Sequence, residues 1–262
     1  MKLTTEQLRF FKREGYLILR GVMDPELMAR ARERLWDDPP ASFNREDPAT
    51  WVGPLPEADR SDDSANMKRE YRWQYRRIGG EGWIVRMLAA DRVIFGVAEQ
   101  MLGAGRVQIP HGIRGIYCTL PYGDRPRPEN TCHCDAHPFH LGVVGYIDDV
   151  EPDGGAFCVW PGSHREFYHT FTTGYMPDKT GEYERLRERL NRQSPVDCHG
   201  SAGDVLFWHH RLGHMAGHNY SARIRQAVLY DFRRTDLEEM QGLPPPRDMW
   251  RDWSKELREV EL

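Results

Sequence analysis

Two histidines, one aspartate and one arginine have the types and spacing that point most directly to chemistry. His133 and Asp135 are two positions apart, His214 lies far along the chain, and Arg225 follows it eleven residues later. On an extended segment, residues two apart project from one face, so His133 and Asp135 can bind one ion together. Two imidazoles and a carboxylate on one face of a metal leave positions open for chemistry, which is typical of non-haem Fe(II). Arg225 offers a planar fork suited to a carboxylate.

Four ordered segments around these residues resemble a single family. They are a helix-and-strand stretch from Leu3 to Val22, the His133-Cys134-Asp135 motif, a stretch from Asp153 to His164 with Gly-Gly and then Pro-Gly-Ser-His, and a distal pattern of Gly203, Asp204, Val205, His214, Asn219, Ser221, Arg223 and Arg225. Together they resemble the phytanoyl-CoA dioxygenase family of Fe(II)- and 2-oxoglutarate-dependent oxygenases. The resemblance runs from about residue 3 to 235, with a weak stretch at 37–80.

This resemblance implies an activity and a set of residues. His133, Asp135 and His214 would be the metal ligands and catalytic residues, with Fe(II), 2-oxoglutarate and O₂ as cofactor and co-substrates. The family couples release of succinate and CO₂ to oxidation of an unactivated C–H bond of a small molecule. Related halogenases have a small residue at the position of Asp135, so the carboxylate here favours hydroxylation. Desaturation, epoxidation and ring formation use the same chemistry and stay open.

The residues around 2-oxoglutarate follow from the family's spacing. Arg225 is expected to bind the far carboxylate, and Arg223, two residues away, is the competing arginine. Several such oxygenases place a hydroxyl residue two positions beyond the arginine, where this chain has Ala227. Another donor must therefore complete the contact, and Thr119 or Tyr117 from a neighbouring strand is expected to supply it.

The pattern of apolar and turn residues predicts a mainly β fold with flanking helices, and with the resemblance it favours a double-stranded β-helix of the jelly-roll, cupin-like kind. We expect one domain over 1–262, with a helical N-terminal part (1–105) that includes a loop or lid at 37–80, a β-helix core (106–235) and a C-terminal tail (236–262). The expected strands are 16–19, 112–119, 139–147, 156–160, 204–208, 213–215 and 224–233. The expected helices are 5–14, 25–36, 82–89, 91–102, 182–192 and one in the last dozen residues.

A basic and aromatic run from Lys68 to Arg77 stands out from the rest of the chain. Charge runs usually face water, so a solvated helix face is one interpretation. The other is a lid in which Arg72 and Arg76, joined by Arg114 and by Arg125 and Arg127, contact an anionic substrate. His137 is a further candidate, because it continues the strand face of Asp135.

Composition limits the class of protein. The 262 residues carry a net charge of −4, which gives no electrostatic case for nucleic acid or an anionic membrane. No apolar run approaches the length of a membrane span. Five cysteines, an odd number, do not suggest a disulfide framework, and Cys132 and Cys134 are expected to be buried thiols rather than metal ligands. We expect a cytoplasmic monomer or homodimer with a small-molecule substrate.

Two other functions remain open. Zinc accepts the same ligands, so a zinc-dependent hydrolase is the chemical alternative. Since fold does not determine function, a non-catalytic ligand-binding protein on the same fold is the second. A bare His-x-Asp motif also occurs in surface turns without a metal, and only the combination with His214, Arg225 and the flanking segments favours a metal site.

Overall fold

The computed structural model describes residues 1–179 and 181–262. Its helices are α1 (Thr5–Glu14), α2 (Pro25–Leu35), α3 (Gly82–Met87), α4 (Arg92–Leu102), α5 (Ser163–Phe167), α6 (Gly181–Asn191), α7 (Leu237–Met240) and α8 (Lys255–Glu259). Its strands are β1 (Tyr16–Leu19), β2 (Asn66–Arg69), β3 (Arg72–Tyr75), β4 (Ile116–Thr119), β5 (Leu141–Tyr146), β6 (Phe157–Val159), β7 (Val196–Asp197), β8 (Val205–His209), β9 (His214–Ala216) and β10 (Arg225–Phe232). Short 3₁₀ turns lie at Pro48–Trp51, Glu57–Asp59 and Tyr168–Thr170.

The first helix begins and ends at the residues that the sequence indicates. The Thr4 side chain accepts from the Gln7 amide and the Gln7 side chain accepts from the Thr4 amide, which satisfies two free donors of the first turn. The helix ends at Gly15, whose φ of 83° is accessible to glycine at little cost. A Cβ at Gly15 would lie 2.5 Å from His164 Nδ1, so the close approach of α1 to the Pro-Gly-Ser-His segment also requires glycine.

The strands form two antiparallel sheets. The major sheet has the order β1-β8-β5-β10-β4-β3-β2 and the minor sheet the order β7-β6-β9. Along β8, Val205 and Phe207 belong to the core between the major sheet and the helices, whereas Leu206 and Trp208 belong to a second core. That second core also contains Phe157 of the minor sheet, so the two sheets face each other across it. The predicted double-stranded β-helix with helices packed on one face is confirmed.

The segment 37–80 differs from the expected loop or lid. Its first part is irregular apart from two 3₁₀ turns, but β2 and β3 form a hairpin at the edge of the major sheet, with Arg72 opposite Thr119 and Gln74 opposite Tyr117. Trp73 and Tyr75 point into the helical core and are 0% and 2% exposed. The solvated helix face is therefore wrong for this run, because aromatic and polar residues alternate with the period of a strand.

The C-terminal segment packs against the first helix. Trp250 and Trp253 are buried in the same core as Phe11, with ring centroids 6.2 Å and 5.5 Å from it. The expected C-terminal helix is α8, which begins after the N-cap Ser254. In the part of the chain that the structure describes, no helix has the length and apolar content needed to cross a membrane. The single-domain organisation stays a prediction.

Candidate metal centre

The β9 edge of the minor sheet and the segment that pairs with it bring His133, Asp135 and His214 together. His214 is the first residue of β9, and its backbone exchanges two hydrogen bonds with that of His133, at 3.1 Å and 3.0 Å. The segment around His133 is held by this isolated bridge and is not a regular strand. One ligating atom from each of the three side chains can be chosen so that all lie within 4.8 Å of one another. This spacing fits a single metal ion.

The hydrogen bonds of the site leave the right atoms free. Nδ1 of His133 lies 2.9 Å from the Thr131 carbonyl, and Nδ1 of His214 lies 2.9 Å from the Leu212 carbonyl. Each carbonyl fixes the tautomer in which Nδ1 donates, so each Nε2 presents its lone pair to the site. Asp135 Oδ2 is buried and has no hydrogen-bond partner. A buried carboxylate oxygen without a partner is costly, and a bound divalent cation would satisfy it.

The electrostatics favour the ligating forms of these side chains. Burial lowers the pKa of His214 to about 4, so its imidazole is neutral at pH 7. Burial opposes ionisation of Asp135, but interaction with the His214 ring, which is protonated only at acidic pH, and with the Arg114 guanidinium outweighs it and lowers the pKa of the carboxyl. A neutral imidazole and an ionised carboxylate are the forms that bind a metal.

Aromatic packing holds the His214 ring, which the sequence did not indicate. The Phe157 ring is stacked on it at 5.0 Å, and the Trp208 ring lies 5.7 Å away. Phe157 is opposite Ala216 across β6 and β9, so cross-strand pairing places it next to the ligand. Its aromatic type alone does not predict this contact.

Arg225 is held rigidly at the start of β10. Its Nε donates to the Gly155 carbonyl at 2.7 Å, Nη1 to the Tyr117 carbonyl at 3.1 Å and Nη2 to Thr119 Oγ1 at 2.8 Å. The side chain is 7% exposed. An arginine has five N–H groups, so two remain for a ligand. The Thr119 hydroxyl lies beside the Arg225 guanidinium, whereas Tyr117 contacts Arg225 through its backbone and not its phenol.

Gly155 is a part of this site that the motif analysis did not single out. Its φ is +79°, and a Cβ there would lie 2.9 Å from Asn219 Cβ and 3.2 Å from Thr119 Cγ2. Asn219 Nδ2 donates to the carbonyls of Thr119 and Arg223, which closes the turn before β10. The second glycine of the Gly-Gly segment therefore allows the backbone to approach Arg225.

Arg223 does not reach the site, contrary to its place among the co-substrate candidates. Its side chain is 60% exposed, and Nη1 lies 4.0 Å from the Asp148 carboxylate. The regular strand begins only at Arg225, so strand alternation does not extend back to Arg223. The two arginines are two residues apart, as neighbours on one strand face would be, but they do not lie on the same face.

A cavity of about 270 Å³ opens beside the three ligands. Across its wall, Arg72, Thr119 and Arg225 form one cross-strand row, and Gln74, Tyr117 and Ala227 form the next. The residues that line it are Arg72, Gln74, Arg76, Arg114, Tyr117, Cys118, Thr119, His133, Asp135, Val144, Phe157, Trp208, His214, Ala216, Arg225 and Leu229. The cavity thus has an apolar side and a side rich in guanidinium groups.

Arg114 is anchored by a carboxylate that the motif analysis missed. Its Nε and Nη2 donate to Asp231 Oδ2 at 2.9 Å and 2.5 Å, and Nη2 lies 2.8 Å from His137 Nε2. His137 also contacts Asp231, at 3.0 Å, and it does not line the cavity itself. The alternation Arg225, Ala227, Leu229, Asp231 along β10 places Asp231 on the inner face, and this period was readable in the sequence.

The cysteines beside the ligands are buried thiols, as expected. Cys132 and Cys134 lie in a separate apolar cluster with Phe167 and Tyr183. Burial raises the pKa of Cys132 to about 12, so the thiol stays protonated at neutral pH. Neither belongs to the group of potential metal ligands found among the described residues.

Comparisons with known proteins agree with this geometry. The family description of phytanoyl-CoA dioxygenase (PhyH) matches residues 11–227. No curated protein sequence matches the chain. Among solved structures, EctD from S. alaskensis with 2-oxoglutarate and 5-hydroxyectoine is similar with a TM-score of 0.59 and 20% identity, covering 95% of this chain and 84% of that one.

Two further structures are similar at comparable identity. The carbocyclase SnoK from nogalamycin biosynthesis, described as non-haem and α-ketoglutarate dependent, has a TM-score of 0.54 and 20% identity, with 96% of this chain and 95% of that chain covered. HygX from Streptomyces hygroscopicus with nickel and 2-oxoglutarate has a TM-score of 0.53 and 16% identity, with 93% and 96% covered. At these identities the likeness shows the fold.

Proposed function

The chain belongs to the phytanoyl-CoA dioxygenase family of Fe(II)- and 2-oxoglutarate-dependent oxygenases, and from that premise we propose that it hydroxylates an unactivated C–H bond of a small anionic molecule. Succinate and CO₂ are the other products. The observation that carries the proposal is the cluster of His133, Asp135 and His214, whose ligating atoms lie within 4.8 Å of one another beside a cavity that also contains Arg225.

The residues of the site have distinct tasks. His133, Asp135 and His214 would hold Fe(II), which together with 2-oxoglutarate and O₂ would supply oxidation of a C–H bond coupled to decarboxylation. Arg225 directs its two free N–H groups to the far carboxylate of 2-oxoglutarate, and Thr119 keeps the guanidinium in place. A bidentate contact of this kind fixes the direction of the co-substrate as well as its affinity.

The rest of the cavity orients the organic substrate and limits access of water. Val144, Phe157, Trp208 and Leu229 form the apolar side, where the carbon skeleton packs. Arg72, Arg76 and Arg114 form the cationic side, with His137 contacting Arg114 from outside the cavity. A cavity of about 270 Å³ that also takes 2-oxoglutarate suits a small molecule. A cytoplasmic location and a monomeric or homodimeric state stay predictions.

Hydroxylation is supported by Asp135. Halogenases related to this family have a small residue at this position, and here a carboxylate occupies it. The similar fold of the carbocyclase SnoK makes ring formation the outcome to distinguish. Product analysis separates them, since hydroxylation adds 16 mass units to the substrate whereas ring closure or desaturation removes two.

The test is an anaerobic titration of metal-free protein with Fe(II) and then 2-oxoglutarate. A chelate between iron and a keto acid has a weak visible charge-transfer band, and we expect it in the natural protein and not in His214→Ala. His218→Ala is the matched control, because His218 is outside the group of ligands. No band in folded, iron-loaded protein would reject the oxygenase. Turnover that needs zinc and no O₂ would then favour the hydrolase, and no turnover a binding protein.

A further inference from the structure

Arg76, Arg114 and Tyr117 form part of the cavity wall. The Arg76 guanidinium lies 5.3 Å from the centroid of the Tyr117 ring. Arg114 lines the same cavity as Arg76 and Tyr117. Cross-strand register places Tyr117 one row beyond Thr119 and Arg225.

The backbone is built to bring Arg76 to this position. It directly follows β3, where it faces Gly115, and a Cβ on Gly115 would lie 2.6 Å from Arg76 Cα. Gly115 has a φ of +92°, which disfavours any other residue. The close approach directs Arg76 along the same face as Arg72 and Gln74, and all three line the cavity.

The guanidinium groups of Arg76 and Arg114 keep N–H donors that are free to bind a ligand. Arg114 directs Nε and Nη2 to Asp231 and His137, and its Nη1 has no hydrogen-bond partner in the described part of the chain. Arg76 donates to Gln74 Oε1 through Nη2 and forms no ion pair with any carboxylate of residues 1–179 and 181–262. Asp231 therefore neutralises Arg114, Asp135 serves the metal, and the positive charge of Arg76 stays uncompensated.

We propose that Arg76, Arg114 and the Tyr117 hydroxyl form a subsite for a carboxylate of the organic substrate. This inference rests on the oxygenase function proposed above. Of the two guanidinium groups in this subsite, that of Arg76 brings an uncompensated charge that matches one carboxylate, and that of Arg114 is already balanced by Asp231. Arg114 and Tyr117 line the same cavity as Asp135, so the subsite lies near the metal ligands. The substrate is a small carboxylic acid that is oxidised close to its carboxylate.

The test uses the anaerobic complex with Fe(II) and 2-oxoglutarate, in which Arg225 is already occupied. The probes are the n-alkanoates from acetate to hexanoate, their primary amides and methylphosphonate, in a buffer without carboxylates, with affinity measured by calorimetry. A charge-assisted contact predicts that the best carboxylate binds at least tenfold more tightly than its amide. Arg76→Gln should remove that preference, and Arg76→Lys should restore part of it.

The matched control is Arg77→Gln, because Arg77 is the next residue but pairs with Asp38 and Asp63 outside the cavity. Equal affinity for acid and amide, no binding of any probe, or an unchanged preference in Arg76→Gln would each overturn the proposal. Tighter binding of methylphosphonate than of every alkanoate would overturn the assignment to a carboxylate.

The charge-transfer band separates this proposal from the oxygenase function. If the band forms and the acids show no preference, the subsite is wrong and the oxygenase stands. If the band does not form, the same probes are applied to metal-free protein with Arg225→Gln, which removes the residue assigned to the carboxylate of 2-oxoglutarate. If Arg225→Gln protein still prefers the acid to its amide and the double variant with Arg76→Gln does not, the subsite is supported. If Arg225→Gln protein shows no such preference, or keeps it when Arg76→Gln is added, the subsite is rejected.

Discussion

Replacement of Arg225 by glutamine should strongly weaken binding of 2-oxoglutarate in a protein that still folds. The guanidinium uses three N–H groups on Gly155, Tyr117 and Thr119 and keeps two for the co-substrate. A hydrogen bond to a charged group contributes about 1.5–3 kcal/mol. Two such bonds, partly replaced by water in the variant, give a loss of about 3 kcal/mol, which corresponds to about a hundredfold increase in Kd.

The assay is the anaerobic titration of iron-loaded protein with 2-oxoglutarate, followed at the charge-transfer band. Arg223→Gln is the matched control, since Arg223 is two residues away, exposed, and directed to Asp148. We expect its Kd to stay within twofold of the natural protein. Arg225→Lys keeps the charge but loses the planar fork, so its Kd should lie between those of the natural protein and Arg225→Gln.

The folded state must be checked separately, because Arg225→Gln leaves buried acceptors with fewer donors. That change alone should lower the free energy of unfolding by about 1–3 kcal/mol. Urea unfolding of the metal-free variants measures it. The assignment of Arg225 would be refuted by an unchanged Kd in folded Arg225→Gln, or by a larger change in Arg223→Gln.

Three further predictions concern the surroundings of the site. Gly155→Ala should raise the Kd of 2-oxoglutarate about tenfold through strain at Thr119 and Arg225. Gly21 also has a positive φ but no atom near a Cβ, so Gly21→Ala should lower the free energy of unfolding in urea and leave this Kd unchanged. Burial lowers the pKa values of His140, His164 and His210 to about 3. In the unfolded chain these histidines have a pKa near 6.5, so as the pH falls they take up protons there before they do in the folded protein. Their neutral burial therefore contributes fully to the free energy of unfolding above pH 6.5. The contribution is lost as the pH falls towards 3, by about 1.4 kcal/mol per histidine and pH unit. His164→Asn should reduce the slope of unfolding free energy against pH between 6 and 5 by about that amount, and an unchanged slope would contradict it. Burial also raises the pKa values of Cys118, Cys132 and Cys158 to about 12. Iodoacetamide at pH 8 should therefore leave the native protein unlabelled but modify all cysteines in urea, as measured by mass spectrometry. Labelling of the native protein would contradict the burial of these thiols.

Much of the β core was predictable because local patterns and tertiary packing agree there. The strands near 139–147, 204–208 and 224–233 are apolar runs between turn residues, and they form the centre of the major sheet, where both faces are covered. Segments of this kind are predicted correctly because their apolar pattern and their burial in the sheet favour the same structure. The ends of these strands differ from the predicted ones by one or two residues, since backbone pairing and not side-chain type determines where a strand ends.

The hairpin of β2 and β3 shows where composition misled. Five basic residues between Lys68 and Arg77 indicate a surface, yet Trp73 and Tyr75 fill the helical core while Arg72 and Gln74 line a cavity. Polar residues on an inner face are unusual unless that face borders a site. The alternation of aromatic and polar residues, with period two, was the feature to follow instead of the charge.

The roles of the arginines depend on contacts that no sequence pattern contains. Arg223 and Arg225 are two residues apart, so alternation along a strand would place both on one face. Because β10 begins at Arg225, after the turn closed by Asn219, only Arg225 enters the cavity. In the same way, β4 sets the distance between the two cationic ends, because Arg72 is opposite Thr119 whereas Arg76 lies beyond Tyr117, past the last registered pair of β3. A shift of one residue in that register would exchange the inner and outer faces of β3. The buried Trp73 and Tyr75 oppose such a shift, so the aromatic residues of the hairpin determine which arginines line the cavity.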